Sequence, residues 1–155
     1  MVNEYGSEMP RSILENYLRP KTLQEWLQEN EDIFRERLWG RDKWLRRKLY
    51  PSSGSAQLED FDITTLNSIF SKLLDDFPGP QNGWSQDPDP SDLSQAADLQ
   101  RLAKLRNNLA HSIKCQLSDE DFEARWAEAE EIIKRLGGDD MEILRLKLGK
   151  AQILD

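Results

Sequence analysis

The sequence predicts an all-α domain, a bundle of about four to six helices with a long Pro/Gly-rich connection inside it. Three observations lead there. Apolar residues recur at spacings of three and four along most of the chain. Those stretches open on side chains that cap helices and close on Pro or Gly. No run of apolar–polar alternation competes with them.

Each element follows in order. Residues 1–20 hold Gly6, Pro10 and Pro20 and read as a flexible lead with one short helix, Arg11 to Leu18, ended by Pro20. Thr22 with Glu25 forms a capping box. The helix behind it places Leu23, Trp26, Leu27, Ile33 and Phe34 on one face. A second helical stretch through Leu38, Trp39, Trp44, Leu45 and Leu49 is interrupted or kinked at Gly40 and closed by Pro51. Asp62 caps a helix whose buried side is Ile63, Leu66, Ile69, Phe70, Leu73, Leu74 and Phe77. Pro78 and Pro80 stop it, and 78–93 is a long loop pinned by Trp84.

Ser94 opens a long helix to about Ile113, with Leu99, Leu102, Leu105, Leu109 and Ile113 as its apolar stripe. Ser118 caps the next, which carries Phe122, Trp126, Ala129, Ile132, Ile133 and Leu136 and ends at Gly137. Residues 138–155 read as a short helix, Met141 to Leu148, or a linker. The helical domain is therefore expected over 21–137.

The 155 residues suffice for one domain. Apolar residues make up 37%, charged residues 32%, and the mean hydropathy is -0.76, so a thin core with polar flanks is expected. No apolar run approaches the roughly 18 residues of a membrane helix, and MVNEYGSEMPR lacks the pattern of a signal peptide. An intracellular, cytoplasmic setting is expected. One cysteine, Cys115, and one histidine, His111, exclude an internal disulfide and the common zinc sites. No metal or cofactor is expected, and no Gly-rich phosphate cradle supports an ATPase or dehydrogenase.

The net charge of -8 argues against general coating of nucleic acid. Positive charge is nonetheless concentrated in 35–48, RERLWGRDKWLRRK, whereas 59–100 is strongly acidic. Two readings of 35–48 stand. In the plainer one Trp39 and Trp44 are core and the arginines face water. In the other, tryptophans interleaved with Arg41, Arg46, Arg47 and Lys48 hold RNA by stacking and phosphate contacts.

On a helical wheel, with Leu99 at zero, the leucine stripe of 94–113 falls between about 240° and 320°, while His111 falls near 120°. Asn107 lies one turn before His111 and Arg106 at the edge of the stripe. His111 is thus not a core histidine. It is either a surface residue without chemistry or part of a site with Arg106 and Asn107. Lys104 lies one turn before Asn107 on the polar face, Asn108 and Ser112 flank the motif, and Asp98 can pair with Arg101 or Arg106. Cys115, in a loop after His111, is a poor nucleophile candidate.

Residues 44–137 resemble HEPN domains of the DZIP3-like kind. The resemblance rests on Trp44-Leu45, Phe61 to Leu66, Gly83-Trp84 with Pro88, Asp98 to Leu105, and Arg106-Asn107-Asn108-Leu109-Ala110-His111-Ser112. It continues through Ser118-Asp119 to Phe122, Trp126 and Arg135-Leu136-Gly137. It implies a helical bundle, commonly a homodimer with facing RNxxxH stretches, within a longer multidomain chain. It also implies a metal-independent endoribonuclease acting on single-stranded RNA. In that role His111 is general base or acid, Arg106 binds the scissile phosphate, and Asn107 orients phosphate or histidine. Lys104, Asn108 and Ser112 would add RNA contacts. The alternative is a non-catalytic dimerisation or interaction module of a signalling or innate-defence protein.

Overall fold

Side-chain caps set where the helices begin. Thr22 accepts from the Glu25 amide at 3.2 Å, Asp62 from Thr65 at 2.9 Å, Ser94 from Ala97 at 3.2 Å and Ser118 from Asp121 at 3.2 Å. All four are caps legible in the sequence. Asp42 is a fifth, accepting from the Leu45 amide at 3.0 Å. The computed structural model describes residues 7–115 and 118–138, and the expected C-terminal helix Met141–Leu148 lies outside them.

Among the described residues the chain is helical and without strands. In order come α1 (Glu8–Leu18), α2 (Leu23–Glu29), α3 (Glu31–Leu38), α4 (Lys43–Leu49) and a 3-10 turn (Leu58–Asp60). Then follow α5 (Ile63–Lys72), α6 (Gln95–Cys115) and α7 (Asp119–Arg135). These are more helices than the expected four to six, because two stretches divide. Asn30 donates from Nδ2 to the Trp26 carbonyl at 2.8 Å and leaves helical geometry, separating α2 from α3. Gly40, at φ +72°, turns the chain between α3 and α4. Cys115 is the last residue of α6 rather than part of a loop.

The core joins α1 to the rest. Leu14, Leu38, Leu45, Leu49, Phe61, Ile63, Leu66, Ile69, Phe70, Leu99 and Ile132 are all but inaccessible. Residues 1–20, read as a flexible lead, thus contribute a packed helix: α1 buries Ile13, Leu14 and Leu18 against α5 and α2. Arg11 also donates from Nε to the Phe61 carbonyl at 3.0 Å. Helix α6 packs between α5 and α7. Helix α7 ends in a Schellman motif, with Gly137 at φ +94° and the Gly138 amide on the Ile133 carbonyl at 2.8 Å.

Three apolar residues expected inside are outside. Ile33 is 55% exposed, Trp39 70% and Trp44 44%. Helix α3 buries Phe34 and Leu38, and the backbone turns extended at Trp39, which swings its ring off that face. In α4 the inward positions are Leu45 and Leu49, one turn apart. Trp44 is rotated about 100° from Leu45. The plainer reading of 35–48, with both indoles in the core, is corrected on this point.

Loop 78–93 is tied down along α6. Gln100 Nε2 donates to the carbonyls of Trp84 at 2.9 Å, Gln86 at 3.2 Å and Gly83 at 3.4 Å. Trp84 is half-buried, packs against the core and lies 6.5 Å from the Phe77 ring centroid. Asp92, buried, accepts the Gln81 amide at 2.8 Å and the Ser94 amide at 3.1 Å. The anchoring expected of Trp84 is therefore shared with Gln100 and Asp92.

Candidate functional site

Helix α6 carries the motif, and its apolar stripe determines what the motif can reach. Leu99, Leu102 and Leu105 are buried. Past Leu105 the chain presents Arg106 half-buried, Asn107 exposed and Asn108 half-buried. Arg106 Nη1 donates to Asn107 Oδ1 at 2.9 Å, so the guanidinium and the amide form one polar unit beside the stripe. His111 follows on the same helix, four residues after Asn107. The side chains of His111, Ser112, Leu109, Ile113 and Cys115 lie outside the described residues.

Asp62 brings a second element to this unit. Its carboxylate caps α5, accepting the Thr65 amide at 2.9 Å and the Thr65 hydroxyl at 2.8 Å. Partial burial pushes its pKa upward. The Thr65 hydrogen bonds and the positive charges of Arg106 and Lys48 outweigh this and hold it below the usual carboxylate range. Arg106 of α6 and Lys48 of α4 are thus both near enough to the start of α5 to act on Asp62 through charge.

The remaining predicted site residues are distributed differently. Lys104 is exposed, and its ammonium pairs with Asp87 of the long loop at 3.1 Å. Acidic loop and motif helix thus lie side by side. Arg46 stacks on the Trp39 ring at 4.5 Å, and Lys48 lies 5.7 Å from the Trp44 ring centroid. Arg41 and Arg47 are exposed on the same α3–α4 corner.

Asp98 binds Arg101 at 2.9 Å, one of its two expected partners, and also Arg135 at 2.8 Å and 2.9 Å. Sequence reasoning missed Arg135. It lies 37 residues away, and no local spacing announces such a pair. The charge influence of Arg106 on Asp62 was missed for the same reason, since Asp62 read only as a cap.

A helical bundle with Arg-Asn-x-x-x-His late in a long helix is what the resemblance to HEPN domains led one to expect. The family profile described as DZIP3/hRUL138-like HEPN matches residues 20–153, and the chain belongs to that family. The chain is 31% identical over 141 residues to the mouse (Mus musculus) E3 ubiquitin-protein ligase DZIP3, covering 85% of this chain and 12% of that protein. With the human (Homo sapiens) E3 ubiquitin-protein ligase DZIP3 it is 29% identical over 151 residues, covering 92% of this chain and 12% of that protein. The chain thus corresponds to a domain-sized part of much longer relatives. No solved structure matches it. Among the described residues no helix is long and apolar enough to cross a membrane.

Proposed function

We propose that this HEPN domain is a metal-independent endoribonuclease for single-stranded RNA, working as a homodimer within a larger cytoplasmic protein. The observation that supports the reading is the hydrogen-bonded Arg106–Asn107 pair beside the leucine stripe, with Asn107 one helical turn before His111. A guanidinium matches the geometry of a phosphate, and imidazole exchanges protons near neutral pH.

In this scheme His111 removes the ribose 2′-OH proton and the 2′-oxygen attacks phosphorus. The P–O5′ bond breaks, and O5′ takes a proton from the second copy's histidine. Arg106 meets the charge that grows on the phosphoryl oxygens, and Asn107 holds the guanidinium in place. Lys104, Asn108 and Ser112 border the strand. The need for a 2′-OH makes the reaction specific to RNA.

The test is cleavage of an unstructured RNA in EDTA by the purified chain. His111→Ala and Arg106→Ala should each abolish cleavage while circular dichroism stays unchanged. A His111→Ala protein that cuts at the wild-type rate removes the assignment.

A second reading, a non-catalytic assembly module, is favoured by the net charge of -8 and by the small share of the DZIP3 proteins that the chain covers. A stable dimer that neither binds nor cuts RNA at low salt selects it.

A further inference from the structure

We infer that the α3–α4 corner is a binding surface for single-stranded RNA in its own right, stacking bases on Trp39 and Trp44 while Arg41, Lys43 and Arg47 hold phosphates. The starting point is the exposure of the two indoles in a chain that has little apolar material to spare. Trp39 is 70% exposed, the highest value among the exposed large apolar residues described, and Ile33 lines the same groove with Arg35, Glu36, Arg37 and Arg41. Large apolar side chains left in water without an apolar partner mark binding surfaces more often than scattered small ones do.

The indoles are held ready. Arg46 covers one face of Trp39 at 4.5 Å, which leaves the other open to solvent. Lys48 stands 5.7 Å from the Trp44 ring centroid. A cation stacked on an aromatic ring fixes its orientation and draws phosphate towards the base that lands on it.

The cations around the indoles divide by partner. Arg37 is committed to Asp75 and the Lys72 carbonyl, and Arg35 to Glu31 and the Tyr50 ring. Arg41, Lys43 and Arg47 are exposed, and among the described residues no hydrogen bond or ion pair engages their side chains. Asp42, an acid in the middle of the stretch, is neutralised from within: its carboxylate caps α4 and pairs with Lys72. Glu36 remains the one acid facing the groove among its lining residues. A protein of net charge -8 has therefore gathered spare positive charge around two open aromatic faces.

An acidic protein segment would satisfy the cations but would leave the indole faces without a matching planar partner. A single strand offers both groups in alternation. The choice of RNA over DNA rests on the function proposed above; the surface itself does not depend on cleavage.

The experiment uses the full 155-residue chain and a labelled 2′-O-methyl oligouridine of about a dozen nucleotides, which has no free 2′-OH to attack. Binding is read by anisotropy and by quenching of tryptophan emission. Trp39→Ala should weaken binding at least about fivefold and Trp39→Phe should restore part of it. The double variant Arg41→Ala/Arg47→Ala should lower the logarithmic salt slope by about 1.4. Unchanged melting temperatures show that the variants fold.

Absence of binding at low salt, wild-type affinity in Trp39→Ala, or tighter binding of an oligoglutamate peptide each overturns the inference. A chain that binds the oligomer through Trp39 but cuts no RNA keeps this surface and loses the nuclease. A chain that cuts RNA while Trp39→Ala binds as wild type keeps the nuclease and loses this surface.

Discussion

Arg135, the last residue of α7, grips Asp98 in the first turn of α6 with two hydrogen bonds, Nε to Oδ2 at 2.9 Å and Nη2 to Oδ1 at 2.8 Å. The Asp98 side chain is 1% exposed and is shared with Arg101. Because the start of one helix meets the end of the next, the contact sets the two antiparallel and fixes the axial position of α6, and with it the motif. Removing the carboxylate leaves two partly buried guanidinium groups without their counter-ion. Asp98→Ala is expected to destabilise the chain by about 3 kcal/mol. The urea midpoint should fall at an unchanged slope, and a loss below about 0.5 kcal/mol would contradict a structural role for the pair.

Arg106 and Asp62 are coupled through charge. The folded pKa of Asp62 is lowered, so this carboxylate contributes stability above its ordinary value of 3.8 and loses it as the pH falls through the folded value. Arg106→Gln removes one of the lowering influences. The Asp62 carboxyl titration, followed by carbon NMR, should then move to higher pH and acid unfolding should begin earlier. An unmoved midpoint would separate Arg106 from the start of α5.

Tyr50 links α4 to α2 by donating from its hydroxyl to the Leu27 carbonyl at 2.6 Å. Burial, with a smaller contribution from Glu31, pushes the phenol up to about 12. A raised folded pKa supplies stability that is complete below the unfolded value of 10.0 and is lost as the pH climbs to about 12. Tyr50→Phe is expected to cost about 1 kcal/mol at neutral pH. Its denaturation midpoint should also lack the alkaline component that the wild type loses across that window.

Gln100 holds the long loop through three backbone carbonyls. Gln100→Leu keeps the bulk and removes the donor. Amide hydrogen exchange should accelerate through 81–87 while the protection of α5 stays unchanged. Loop protection equal to wild type would transfer the anchoring to Trp84 and Asp92.

Much of the bundle was legible in the sequence because its signals are local. A capping side chain and its amide target lie three residues apart, so Thr22, Asp62, Ser94 and Ser118 announce helix starts without reference to the fold. The stripe of Leu99, Leu102 and Leu105 likewise comes from periodicity. The sequence motif was visible too, and with it the family.

Tertiary structure decided what depends on distant partners. Whether Trp39 and Trp44 were core or surface turned on how the chain leaves α3 and on which side of α4 finds Leu45 and Leu49 buried. Whether residues 8–18 were lead or core turned on the space α5 leaves for Leu14. The meeting of Asp98 with Arg135 arises from helix packing. Short-range hydrogen bonding and periodicity are written into neighbouring residues, whereas charge pairing and exposure are properties of surfaces that exist once the helices have come together.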